Sequence, residues 1–109
     1  MWKVLFTEEA ARERLVLPPR ERNALMRAVE KLEALGPNLG YPHSSSLKEH
    51  GDLRELRPRG GRSPWRAFYR RIGDAFVVAA VGPEAEHDKR GFDRAARRAR
   101  TRLDEIAED

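Results

Sequence analysis

Apolar side chains recur along this chain in two rhythms, one of period two and one close to 3.6, and the changes between them mark the elements. Trp2, Val4 and Phe6 fall on one face of a short β-prone run, which predicts a strand over 2–6. Thr7 stands where a helix N-cap belongs, and Glu8 and Glu9 suit the positive end of the helix that follows. Pro18-Pro19 halts that helix near Leu17, and Pro19 also fits the first turn of the next one. From Arg20 to Leu35 the residues Leu25, Ala28, Val29, Leu32 and Leu35 form one apolar stripe, and Gly36-Pro37 ends it. The two helices read as an antiparallel hairpin laid on a sheet.

Residues 38–51 hold Gly40, Pro42, three serines and two histidines, and read as a loop draped over the sheet or closing one side of a cleft. His43 and His50 lie seven apart without companions for a metal, so both are expected in solvent. Strands are predicted over Leu53–Arg57, Trp65–Arg71 and Ala75–Val81, joined by a loop around Gly60-Gly61 and a tight turn at Gly73-Asp74. The run AFVVAAV is apolar on both faces and should be the most buried, central strand. A last helix follows over about 89–107, with Phe92, Ala95, Ala96, Ala99, Leu103 and Ile106 on one stripe. The order is β-α-α-β-β-β-α, an α+β fold with a small antiparallel sheet, an N-terminal helical hairpin and a C-terminal helix. At 109 residues it is expected to be a single domain spanning 1–109.

Charge changes this picture most. The net charge is +4, but it is unevenly spread. Arg54, Arg57, Arg59, Arg62, Arg66, Arg70 and Arg71 face only Glu55 within 53–71, and a second basic block begins at Lys89 and Arg90. Two separated basic blocks point to a polyanion, with nucleic acid the leading partner. With no cysteine there is no disulfide framework or thiolate metal site, no metal or cofactor is expected, and a cytoplasmic location fits. No apolar run approaches the roughly 20 residues of a membrane span, and the N-terminus lacks a signal-peptide pattern.

Alternation places Arg66, Phe68 and Arg70 on one face of their strand, while Glu55 and Arg57 share a face of theirs. Guanidiniums from two rigid strands can converge on a phosphate. Cleaving RNA by 2′-hydroxyl attack needs a base, fixed cations for the charge that develops on phosphorus, and an acid for the leaving oxygen. Glu55, His87 and Tyr69 are the candidate proton handlers, and Arg57, Arg66 and Lys89 or Arg90 the candidate cations. Arg54, Arg59, Arg62 and Arg70 extend the basic surface as candidate nucleic-acid contacts. Glu55 as a plain structural bridge to Arg57 or Arg66 is the competing reading.

In Leu53-Arg54-Glu55-Leu56-Arg57, in Arg66-Ala67-Phe68-Tyr69 and in the apolar strand after them, the chain resembles the RelE/ParE toxin superfamily, within it the HigB-like, phage-derived branch. The helical hairpin and element order extend the resemblance over nearly the whole chain. Members are small toxins paired with an antitoxin; many cut mRNA in the ribosomal A site without metal, whereas the ParE-like branch poisons DNA gyrase. The resemblance implies a toxin acting on ribosome and mRNA, a cognate helix-turn-helix antitoxin, and DNA contact only through the antitoxin complex. It implies that Arg57 and Arg66 occupy the basic positions facing the scissile phosphate, and it makes Glu55 a family marker. Where HigB relatives carry lysines after the last strand, this chain has Gly82 to Arg90, leaving His87 as the local candidate acid. A gyrase-directed toxin and an inactive nucleic-acid-binding relative are the alternatives.

Overall fold

A computed structural model describes residues 1–108. Its elements are β1 (Lys3–Phe6), α1 (Glu8–Leu15), α2 (Pro19–Leu35), β2 (Ser44–Ser46), β3 (Arg54–Leu56), β4 (Trp65–Ile72), β5 (Ala75–Pro83) and α3 (Lys89–Glu108). The strands form one open sheet in the order β1-β5-β4-β3-β2. This is the expected α+β architecture with three differences, the first being that β5, expected at the centre, lies second from one edge while β4 is the middle strand. The segment expected as loop contributes β2, paired antiparallel with β3 through Ser45 opposite Glu55. β1 runs parallel to β5, because the helical hairpin carries the chain across the sheet before the meander begins.

Local signals set the helix ends. Thr7 Oγ1 accepts the Ala10 amide at 3.1 Å, and α2 starts at Pro19. Asp88 caps α3 by accepting the Gly91 amide at 2.9 Å. The α1–α2 hairpin packs on one face of the sheet, where Leu25, Val29 and Leu32 meet Leu56, Tyr69, Phe76 and Val78. On the opposite face α3 lays Phe92, Ala95, Ala96, Ala99 and Leu103 against Leu53, Phe68, Ala79 and Ala80. Leu35 and Ile106, at the ends of their stripes, remain about half exposed.

A register shift in β5 makes the α3 contact possible. Phe68 pairs with Ala80 but Tyr69 pairs with Val78, so Ala79 is an extra residue and Ala79 and Ala80 both face α3. Small residues on both sides then let the helix sit close. A Cβ on Gly82 would lie 2.5 Å from Ala95 Cβ. Among the described residues, the outer edge of β5 beyond Phe6 has no strand partner; Glu13 Oε1 accepts the Val81 amide at 2.9 Å and Arg102 donates to the Ala79 carbonyl at 2.7 Å. Arg102 also donates to Glu13 Oε2 at 3.1 Å, so α1 and α3 close that edge together. Among the described residues, no helix is long and apolar enough to cross a membrane.

Candidate active site

Glu55 and Arg66 belong to the α3 face of the sheet, and Arg57 follows β3 where the strand gives way to the turn Pro58–Gly61. Their side chains meet. Glu55 Oε1 lies 3.2 Å from Arg66 Nε, and Oε2 lies 3.2 Å from Arg57 Nη1 while accepting the Ser45 hydroxyl at 2.7 Å. Both carboxylate oxygens are therefore engaged, and the side chain is only 10% exposed.

The two arginines differ. Arg66 is 4% exposed and gives Nη1 to the Ser63 and Trp65 carbonyls at 2.7 and 2.9 Å, and Nη2 to the Gly61 carbonyl at 3.2 Å. Burial pushes its pKa below the usual arginine value and Arg57 adds to that; Glu55 and Glu84 act in the opposite direction. It braces the loop 61–65 and contributes fixed positive charge. Arg57 is 18% exposed, donates Nε to the Pro42 carbonyl at 2.9 Å and lies over the Tyr41 ring at 5.0 Å. Gly61 allows this placement, since a Cβ there would meet Arg57 Nη2 at 2.5 Å.

These residues line a cleft of about 210 Å³, closed on its far side by Glu84, Ala85, Glu86 and Phe92. The cleft carries three carboxylates and two guanidiniums. Basic charge concentrates instead around a second cavity of about 220 Å³ on the α2 side, lined by Ala24, Arg27, Ala28, Lys31, His43, Arg57 and Arg59. Arg57 is common to both.

The other candidate residues are placed as follows. His87 is exposed in the turn 85–87 and is not among the residues lining the cleft. Arg54 Nε donates to Ser44 Oγ at 3.1 Å, beside the buried Ser44–Tyr69 hydroxyl pair at 2.6 Å. Arg59 donates to both Glu21 oxygens at 2.8 Å, which, with the Ser63 hydroxyl and against the effect of burial, holds the Glu21 carboxyl below the usual range. Arg62 is exposed and donates to the Arg59 carbonyl. Arg70 is held between Asp52 at 2.7 Å and Asp104 at 2.8 Å. Lys89 pairs with Asp93 at 3.1 Å over the Phe92 ring, and Arg90 is exposed on the first turn of α3. His50 departs from expectation: it is buried, with Nε2 3.8 Å from Asp93 Oδ1, because a 3-10 turn at Lys48–His50 folds it back toward α3.

The sequence pattern of the family described as phage derived protein Gp49-like (DUF891) matches residues 13–103. The chain belongs to this Gp49-like family. No curated protein sequence matches it. Among solved structures, this Gp49-like chain is similar to an arginine double mutant of the E. coli toxin RelE in the free state, with 21% identity, a TM-score of 0.63, and 89% and 96% of the two chains covered. The toxin–antitoxin complex RelBE2 from Mycobacterium tuberculosis matches at 23% identity and TM-score 0.60, covering 76% of this chain and 98% of the other. A chain of the chromosomal ParDE system from P. aeruginosa matches at 18% identity and TM-score 0.53, covering 76% and 96%. The Gp49-like chain thus has the RelE fold.

The sequence pattern does not single out Glu84 or Glu86, and it places His43 in solvent, whereas His43 is half-buried at the α2-side cavity. The carboxylates follow the last strand by one and three residues, so the strand's end brings them over Glu55 and Arg66. His43 directly precedes β2, whose pairing with β3 sets its backbone carbonyl on the Arg57 amide at 2.8 Å. Recognising β2 is the step that would have found it.

Proposed function

We propose that this chain is the toxin of a type II toxin–antitoxin system, a ribosome-dependent endoribonuclease of the HigB-like branch that acts in the cytoplasm and is neutralised by a cognate antitoxin. The observation that carries this reading is the Glu55–Arg57–Arg66 constellation at the mouth of a cleft rimmed by further carboxylates. Several of the structural neighbours are toxin–antitoxin complexes by their own descriptions, which supports an antitoxin partner.

In this reading Arg57, the more accessible guanidinium, takes the scissile phosphate. Arg66 and Glu55 hold it in place, and Arg66 adds fixed charge where negative charge builds up. The 2′-hydroxyl passes its proton to Glu84 or Glu86 as its oxygen bonds to phosphorus. The bond from phosphorus to the 5′-oxygen breaks, and that oxygen takes a proton from the acid, for which His87, next to Glu86, is the candidate. The products are a 2′,3′-cyclic phosphate and a 5′-hydroxyl. The reaction requires no metal ion for balance.

Induced expression in a bacterium, followed by mapping of mRNA 5′ ends, tests the proposal. Growth arrest with new 5′ ends phased to codons is expected, and Arg57→Ala should abolish both. The excess of carboxylates over guanidiniums in the cleft weighs against a polyanion there, and the second reading is the non-nuclease toxin that blocks DNA gyrase, as in the ParE-like branch. Arrest with DNA-damage signalling, unaltered by Arg57→Ala, would establish that reading and remove the first.

A further inference from the structure

The cationic cavity on the α2 side has no part in the chemistry above, yet it shares Arg57 with the cleft. Its floor is Ala28 and Ala24; its rim is Arg27, Lys31, Arg57 and Arg59, with His43 at the edge. Two of these cations are fixed, Arg59 by Glu21 and Arg57 by Glu55 and the Pro42 carbonyl. The other two are not: among the described residues neither Arg27 nor Lys31 takes part in an ion pair, and both are exposed. They stand at i and i+4 on α2, a like-charge spacing that costs a helix a few tenths of a kcal/mol. Arg27 has Glu30 at i+3 without an ion pair forming, and Lys31 has no acidic residue at i±3 or i±4, so an anion in the cavity would neutralise charge that α2 itself leaves unpaired.

We infer that this cavity binds the phosphate of a second nucleotide on a single-stranded RNA whose neighbouring phosphate lies at Arg57. The inference rests on the proposed nuclease reading for its ligand, while its own observation is the unneutralised α2 rim. The apolar floor accepts a sugar or base edge behind the phosphate, and the strand continues from it into the cleft past Arg57.

The test uses the full chain and a fluorescein-labelled hexaribonucleotide blocked by 2′-O-methylation, so that binding is read without cleavage by anisotropy over a salt series. Arg27→Ala with Lys31→Ala should weaken binding about tenfold and lower the slope of log affinity against log salt by about 0.7, the value for one phosphate contact on a single strand. Arg27→Lys with Lys31→Arg should restore wild-type binding. A control with the same loss of charge outside both basic blocks, Lys3→Ala with Arg12→Ala, should leave the slope unchanged. Alanine is well tolerated at the exposed helical positions of α2, so folding is preserved. Wild-type binding by the α2 variant, or an equal loss in the control variant, would overturn the inference. Displacement by a nucleoside monophosphate at the oligonucleotide's own concentration would also overturn it, assigning the cavity to a free nucleotide. A chain that binds through Arg27 and Lys31 but never cuts RNA keeps the cavity and loses the nuclease reading; a chain that cuts RNA yet ignores the α2 substitutions does the reverse.

Discussion

Replacing Glu55 by glutamine preserves its size and removes one charge from a buried constellation. The carboxylate sits 3.2 Å from both Arg66 Nε and Arg57 Nη1, with Arg66 only 4% exposed. Removing one partner of a buried ion pair typically costs about 3–5 kcal/mol, because the remaining charge is left uncompensated. Two features place Glu55→Gln at the lower end. Arg66 keeps its bonds to the Ser63, Trp65 and Gly61 carbonyls, and Arg57 can turn toward water. A loss of about 3 kcal/mol is expected against a typical domain total of about 5–15, so the variant still folds but unfolds at clearly lower denaturant. Adding Arg66→Met removes the stranded charge and should recover part of the loss. Urea unfolding of wild type, the Arg66→Met single variant, Glu55→Gln and the double variant measures the coupling directly. A Glu55→Gln variant within about 1 kcal/mol of wild type, or a double variant no more stable than Glu55→Gln alone, would refute the reasoning.

Other expectations follow from the same contacts. Glu21→Gln should cost about 1–3 kcal/mol at pH 7, since it breaks charge-assisted bonds from Arg59 and Ser63. The Glu21 pKa is depressed in the folded state, so its stabilisation is present above the ordinary carboxylate pKa and is lost as pH falls through the lower folded value; unfolding curves of wild type and Glu21→Gln should draw together as the pH is taken below the ordinary carboxylate range. Gly82→Ala should lower stability by about 1–3 kcal/mol in thermal unfolding, because its Cβ would press on Ala95. Glu13→Ala should speed hydrogen exchange at the Val81 amide, since it strips that amide of its acceptor and frees Arg102.

The regular parts of the fold were legible because each rests on local chemistry. Thr7, Pro19 and the stripe at Leu25, Val29 and Leu32 act within a turn or two of themselves. Three features were not legible, and each depends on partners distant in sequence. β2 is a run of three serines whose strand character comes from pairing with β3. The irregularity at Ala79 lies inside an unbroken apolar run and shows only in the pairing with β4. His50 looks like a loop residue until α3 supplies Asp93. At the candidate site, the convergence of Glu55, Arg57 and Arg66 could be read from strand alternation. Alternation could not separate an arginine consumed by backbone carbonyls from one that keeps partial exposure, nor assign Arg70 to Asp52 and Asp104.

The central claim is that Arg57 at the Glu55–Arg66 constellation directs a 2′-hydroxyl attack on ribosome-bound mRNA. It is tested most directly by adding the purified protein to ribosomes programmed with a defined mRNA and determining the termini of the fragments. The account predicts cleavage at the A-site codon, with a 2′,3′-cyclic phosphate on one fragment and a 5′-hydroxyl on the other, and a loss of at least about 100-fold in rate for Arg57→Ala, in line with removal of a transition-state charge contact. Fragments bearing 5′-phosphates, or cutting at an unchanged rate by Arg57→Ala, would contradict it.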